Sequence, residues 1–141
     1  MESISKDSIN LIISEFENKT LKIENWTHQA HIIVAFWHNK NFDFETAVNL
    51  LRNKIKAYNL SVGTQNSDNS GYHETLTIFW MILTKDFLST NNSLQFEKKC
   101  NIFLNSIKSS KDYPLNYYSK EKLSSKKARK EYIEPDLKPM K

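Results

Sequence analysis

Three histidines and one glutamate have the residue types and the spacing that a chemical site requires. His28 and His31 lie three positions apart, so on a helix they share one face, about one turn from each other. His73 and Glu74 are adjacent in a later segment. Imidazole nitrogens and carboxylate oxygens bind divalent transition metals such as zinc, iron, manganese and nickel. The pattern therefore predicts a metal site whose ligands are His28, His31 and His73.

Glu74 is the candidate catalytic residue of this predicted site. A carboxylate beside a metal or a substrate can carry a proton as general acid or base. Glu74 can equally serve as a fourth metal ligand or orient one of the imidazoles by a hydrogen bond. A fourth alternative has no chemical role, because a carboxylate in the first turn of a helix complements the helix dipole.

The same residues also have a purely structural interpretation. Imidazoles in a helical core are often only hydrogen-bonded to hydroxyls, carboxylates or backbone carbonyls. Two hypotheses follow. The first is a metal-dependent or acid/base enzyme that acts on a small molecule at the His/Glu cluster. The second is a non-enzymatic helical module that binds a ligand or a partner, with the polar cluster holding the core in register.

The predicted site requires helices that bring its residues together. Apolar residues at steps of three and four predict amphipathic helices over residues 4–18, 43–61 and 93–108. Residues 26–39 and 72–88 are apolar on nearly every side, which is typical of buried helices. We therefore expect an all-α bundle of about five helices around two buried central ones. If these two helices are neighbours, the histidines meet at one end.

Composition excludes several classes of protein. The two glycines of the chain are too few for a glycine-rich phosphate loop, and they bracket the polar residues 64–71, where they predict a loop of imposed shape. The single cysteine, Cys100, excludes an intrachain disulfide and a cysteine zinc site, and is expected to be a small core residue. No apolar run is long enough to span a bilayer, and the first residues do not resemble a signal peptide. We expect a cytoplasmic protein without membrane contact.

The C-terminal residues 119–141 hold eight basic and four acidic residues, which equals the +4 charge of the whole chain. A basic segment can contact nucleic acid, but a solvated segment packed on the surface is the simpler interpretation. We expect one domain over residues 1–141, with a short helix over 124–132 and a C-terminal segment wrapped around the outside. Nucleic acid is not an expected partner, and the oligomeric state is left open.

Several motifs resemble those of a group of small uncharacterised bacterial proteins. They are Trp26-Thr27-His28-x-x-His31, Gly71-Tyr72-His73-Glu74-Thr75, Tyr117-Tyr118-Ser119 and Ala128-Arg129. The resemblance covers most of the chain from residue 26 onward and implies no particular reaction. It implies that Tyr118 and Arg129 belong to the same site as the histidines. Tyr72, which precedes His73 in the sequence, adds a hydroxyl there. These three residues are the substrate-binding candidates. His38 lies outside the motifs and is not predicted to be a ligand.

Overall fold

The computed structural model describes residues 3–140; Met1, Glu2 and Lys141, which the predicted domain and basic segment include, lie outside the described residues. Within that range the chain forms seven α-helices and no strand, and five of the helices are of substantial length. The predicted all-α bundle is therefore confirmed. The helices are α1 (Lys6–Asn18), α2 (His28–Asn41), α3 (Phe44–Ser61), α4 (Glu74–Thr90), α5 (Phe96–Leu104), α6 (Lys120–Leu123) and α7 (Lys126–Lys130).

Helices α2 and α4 form the centre of the bundle and pack against each other along their length. They are apolar on all sides because each contributes to two hydrophobic clusters. Val34 and Met81 belong to the cluster shared with α1 and α3. Ile33, Phe36 and Phe79 belong to the cluster shared with α1 and α5. Each of these side chains is at most 1% exposed, and burial of such a side chain contributes about 1.5–3 kcal/mol.

Helix α4 begins two residues later than the helix predicted over 72–88. His73 is the N-cap, and its Nδ1 atom accepts a hydrogen bond of 3.1 Å from the backbone N–H three residues later. The reason lies in the preceding loop, where the backbone N–H of Tyr72 donates to Oδ1 of Asn66 at 3.1 Å. This bond holds the chain outside the helix until His73.

Both glycines adopt the left-handed conformation around the polar loop. Gly63 has φ +84° after the last turn of α3, and the bonds from Gly63 N–H to Leu60 and from Thr64 N–H to Asn59 close the helix end. Gly71 has φ +79°, and a Cβ atom there would lie 2.3 Å from the carbonyl oxygen of Gln65. The loop therefore has a tightly determined shape at the Gly71 end.

The C-terminal segment packs on α4 as part of the fold. Thr75 joins the two: its hydroxyl donates to the carbonyl of Glu131 at 2.9 Å and accepts from the N–H of Ile133 at 3.2 Å. The short helix expected over 124–132 is present as α7, which Ser125 caps, and a second short helix, α6, precedes it. Across residues 3–140, no helix combines the length and apolar character that a membrane crossing requires.

Candidate functional site

A cleft of about 420 Å³ lies among the starts of α2 and α4 and the middle of α3. His28, His31 and His73 all line it, so the fold brings the three histidines to one place. The walls are mainly aromatic and aliphatic. The larger wall side chains are Trp26, Leu51, Ile55, Tyr72, Leu76 and Trp80.

His31 lies flat against one aromatic wall of the cleft. Its ring is stacked on Trp26 with 3.7 Å between the ring centroids. Nδ1 lies 2.9 Å from the carbonyl oxygen of Thr27, so the Nδ1–H donates and Nε2 keeps its lone pair. Burial lowers the pKa of His31 to about 4. The imidazole is therefore neutral at pH 7, and its Nε2 makes no hydrogen bond within residues 3–140.

His28 is held in a similar way from another part of the chain. Its Nε2–H donates to the carbonyl oxygen of Ser109 at 2.7 Å, and the edge of the ring meets Trp80 at 5.0 Å between centroids. Burial is the main cause that lowers the pKa of His28, and the positive charge of Lys111 lowers it further. The free lone pair of His28 is therefore on Nδ1, whereas that of His31 is on Nε2.

His73 has neither ring nitrogen available. Its Nε2–H donates to the carbonyl oxygen of Leu123 at 2.9 Å, and its Nδ1 accepts from the N–H of Leu76 at 3.1 Å. The imidazole thus joins the start of α4 to the C-terminal segment. A metal ligand needs a free lone pair, and His73 has none in this arrangement.

Glu74 lies beside the cleft, where its carboxylate is paired with Arg52. Arg52 donates to it from Nε to Oε1 at 2.8 Å and from Nη2 to Oε2 at 2.6 Å, and the Tyr72 hydroxyl donates to Oε1 at 2.6 Å. Burial raises the pKa of Glu74, but the bonds from Arg52 and Tyr72 outweigh it and hold the pKa below its usual value. Glu74 is therefore an ionised, fully bonded carboxylate.

The three substrate-binding candidates lie in different places. Tyr72 lines the cleft, with its hydroxyl on Glu74. Tyr118 is fully buried elsewhere, and its hydroxyl donates to the carbonyl of Ile133 at 2.6 Å. Arg129 donates from Nη1 to the carbonyl of Gly71 at 3.0 Å, so it clamps the loop behind the cleft. Only Tyr72 among these three lines the cleft.

Two charged residues near the cleft have no counterpart in the sequence prediction. Arg52 lies on the polar face of α3 among other polar residues, where no local pattern distinguishes it. Lys111 follows the turn at Ile107–Ser109 and lines the cleft, although it is 80 positions or more from His28 and His31. Neither residue could be assigned to the site without the tertiary fold.

In the described range 3–140, no three His, Cys, Asp or Glu side chains are arranged to hold a metal ion. Both ring nitrogens of His73 are in hydrogen bonds, and the carboxylate of Glu74 is paired with Arg52. No protein-family model, no curated protein and no solved structure matches the chain. The motif resemblance therefore gains no support from these comparisons. The protein is a helical bundle with a histidine-lined cleft.

Proposed function

We propose that the protein binds a small, largely apolar molecule in the cleft, and that the imidazoles of His28 and His31 orient it by accepting hydrogen bonds. The observation that carries the proposal is the meeting of these imidazoles with aromatic walls around one volume of about 420 Å³. Small-molecule sites typically have mainly apolar walls, a few convergent polar groups and a volume of roughly 300–1,000 Å³.

The hydrogen bonds of the two imidazoles favour acceptor roles. In each, a backbone carbonyl binds one ring nitrogen and leaves the other nitrogen with its lone pair. The lowered pKa values keep both rings neutral at pH 7. Proton transfer is less well supported, because a pKa of about 4 makes His31 a weak base at neutral pH. The proposal is therefore binding rather than acid/base catalysis.

The three tryptophans provide a direct test. Trp26 and Trp80 line the cleft, whereas Trp37 packs elsewhere, against Phe42 and His38. We expect bicyclic aromatic fragments that carry a hydroxyl to shift the indole N–H signals of Trp26 and Trp80 in ¹H–¹⁵N spectra. The Trp37 signal serves as the internal control. A fragment library that moves none of these signals, or moves all three equally, would contradict the proposal.

A single variant separates the hydrogen bond from the wall. His31→Phe keeps a ring against Trp26 and removes Nε2. We expect affinity for a hydroxyl-bearing fragment to fall about tenfold, as for one lost hydrogen bond. The same fragment with the hydroxyl replaced by hydrogen is the matched control, and its affinity should be unchanged. Equal losses for both fragments would assign the effect to shape and not to the hydrogen bond.

Metal binding is the second candidate, and one observation favours it. His28 and His31 each have one ring nitrogen bonded to a backbone carbonyl, which is how metal-binding histidines are commonly oriented. Elemental analysis of untagged protein tests this. About one equivalent of zinc, iron, manganese or nickel, lost in His28→Ala or His31→Ala and retained in His73→Ala, would support the two-histidine site. Metal-free protein that also fails to bind added Zn²⁺ would end this candidate.

A further inference from the structure

Lys111 is the one cationic side chain that lines the cleft in the described part of the chain. It has no ion-pair partner among residues 3–140, and no Asp or Glu side chain lines the cleft with it. The nearby carboxylate of Glu74 is already neutralised by both arms of Arg52. The cleft therefore holds one positive charge that the protein does not balance.

The helices that border the cleft add to this positive potential. Both α2 and α4 begin there, so the positive ends of their dipoles lie at the site. The first turn of α2 contains no acidic residue. The first turn of α4 contains Glu74, whose negative charge is paired with the guanidinium of Arg52. The helix dipoles and the ammonium of Lys111 therefore both make the electrostatic potential in the cleft more positive.

We propose that the ligand is an apolar monocarboxylate whose carboxylate pairs with Lys111 while its ring system lies between the aromatic walls. One ammonium balances one negative charge, which matches a carboxylate better than a phosphate dianion. The neutral imidazoles of His28 and His31 offer acceptors, so they bind a donor group elsewhere on the ligand, such as a hydroxyl. This inference rests on the proposed small-molecule site.

Two probes of one shape test the charge: 6-hydroxy-2-naphthoate and the corresponding 6-hydroxy-2-naphthamide. Their affinities are measured by titration of the Trp26 and Trp80 indole signals. We expect the acid to bind about three- to fivefold more tightly than the amide at low salt, as for a partly solvated ion pair. High salt should remove most of the difference, because it screens exposed charges.

Lys111→Gln is the decisive variant, and Lys108→Gln, an exposed lysine in the preceding turn that does not line the cleft, is its control. The preference for the acid over the amide should vanish in Lys111→Gln and persist in Lys108→Gln. Unchanged amide affinity in both variants shows that the cleft is intact. A native protein that does not distinguish the probes, or a preference that survives Lys111→Gln, overturns the inference and leaves the binding site standing. If neither probe shifts Trp26 or Trp80, the proposed function falls together with the inference.

Discussion

Two of the three histidines of helix α2, His31 and His38, lie seven positions apart in contrasting environments. Nδ1–H of His38 donates to the carbonyl of Val34 at 2.7 Å, and its Nε2 lies 3.0 Å from the ammonium of Lys54. Lys54 also donates to Glu17 at 2.8 Å. In this Glu17–His38–Lys54 cluster each ring nitrogen has a partner. His31, in the cleft, has a partner for one nitrogen only.

Lys54 and Lys111 differ in the same way as His38 and His31. Lys54 pairs with a carboxylate and an imidazole, and its ammonium also lies 5.3 Å from the centroid of the Trp37 ring. Lys111 lines an open cleft and has no ion pair within the described residues. The contrast teaches that residue type does not distinguish a structural polar cluster from a candidate binding site. The distinguishing property is whether the protein itself satisfies the polar groups.

The largest expected effect concerns the paired carboxylate at the edge of the cleft. Glu74→Ala leaves Arg52 without its counter-charge and the Tyr72 hydroxyl without its acceptor. We expect the free energy of unfolding to fall by about 3 kcal/mol, measured by urea denaturation. Glu45→Ala, in the exposed first turn of α3, should cost less than about 1 kcal/mol. Similar losses in both variants would show that the Arg52 pair contributes little.

The loop behind the cleft gives the next effect. Gly71→Ala combines a positive φ with a Cβ atom 2.3 Å from the Gln65 carbonyl oxygen, whereas Gly63→Ala meets no atom within 4 Å. We expect losses of about 2–3 kcal/mol at Gly71 and about 1 kcal/mol at Gly63 by thermal or urea unfolding. Only Gly71→Ala should also weaken fragment binding, because Tyr72 follows it in the cleft wall. Equal losses at both glycines would contradict the tight packing of the loop.

Acid should destabilise the protein through its buried imidazoles. The pKa values of His28, His31, His38 and His73 are all lowered by burial, that of His31 to about 4. Since the unfolded chain then binds more protons, this stability is fully present above about pH 6.5 and is lost as the pH falls toward 4. We expect His31 alone to account for about 1–2 kcal/mol between pH 7 and pH 5.

The measurement is urea unfolding of native protein and His31→Phe at pH 7, 6 and 5. The variant should lose less stability across this range than the native protein. Identical pH profiles would show that His31 does not resist protonation in the fold.

The smallest expected effect separates the two lysines directly. Lys54→Met removes the partner of both His38 and Glu17, and should cost about 1 kcal/mol in unfolding free energy. Lys111→Met should change the free energy of unfolding by less than about 0.5 kcal/mol, because no ion pair is lost. Both values come from urea denaturation at pH 7. A larger loss at Lys111 would show that its charge stabilises the fold itself.

Local patterns in the sequence were sufficient to predict most of the helices. The all-round apolar character of α2 and α4 identified them as central, and the predicted burial of Cys100 is also observed, with a thiol pKa raised by burial to about 12. Gly63, the first of the two glycines that predicted the loop, lies just after the end of α3. The start of α4 was predicted two residues too early, because the bond from Tyr72 N–H to Asn66 keeps the chain outside the helix until His73, which caps it.

The sequence by itself determined that five long helices form, that two of them are buried and that three histidines lie near the starts of those two. Hydrophobic periodicity and capping are local properties, so they are readable along the chain. Only the tertiary structure decided that Lys111 lies at the cleft and that Arg52 forms an ion pair with Glu74. It also decided that both ring nitrogens of His73 are in hydrogen bonds. Hydrogen-bond and charge partners come from distant segments, and whether a polar group is free or satisfied depends on those partners.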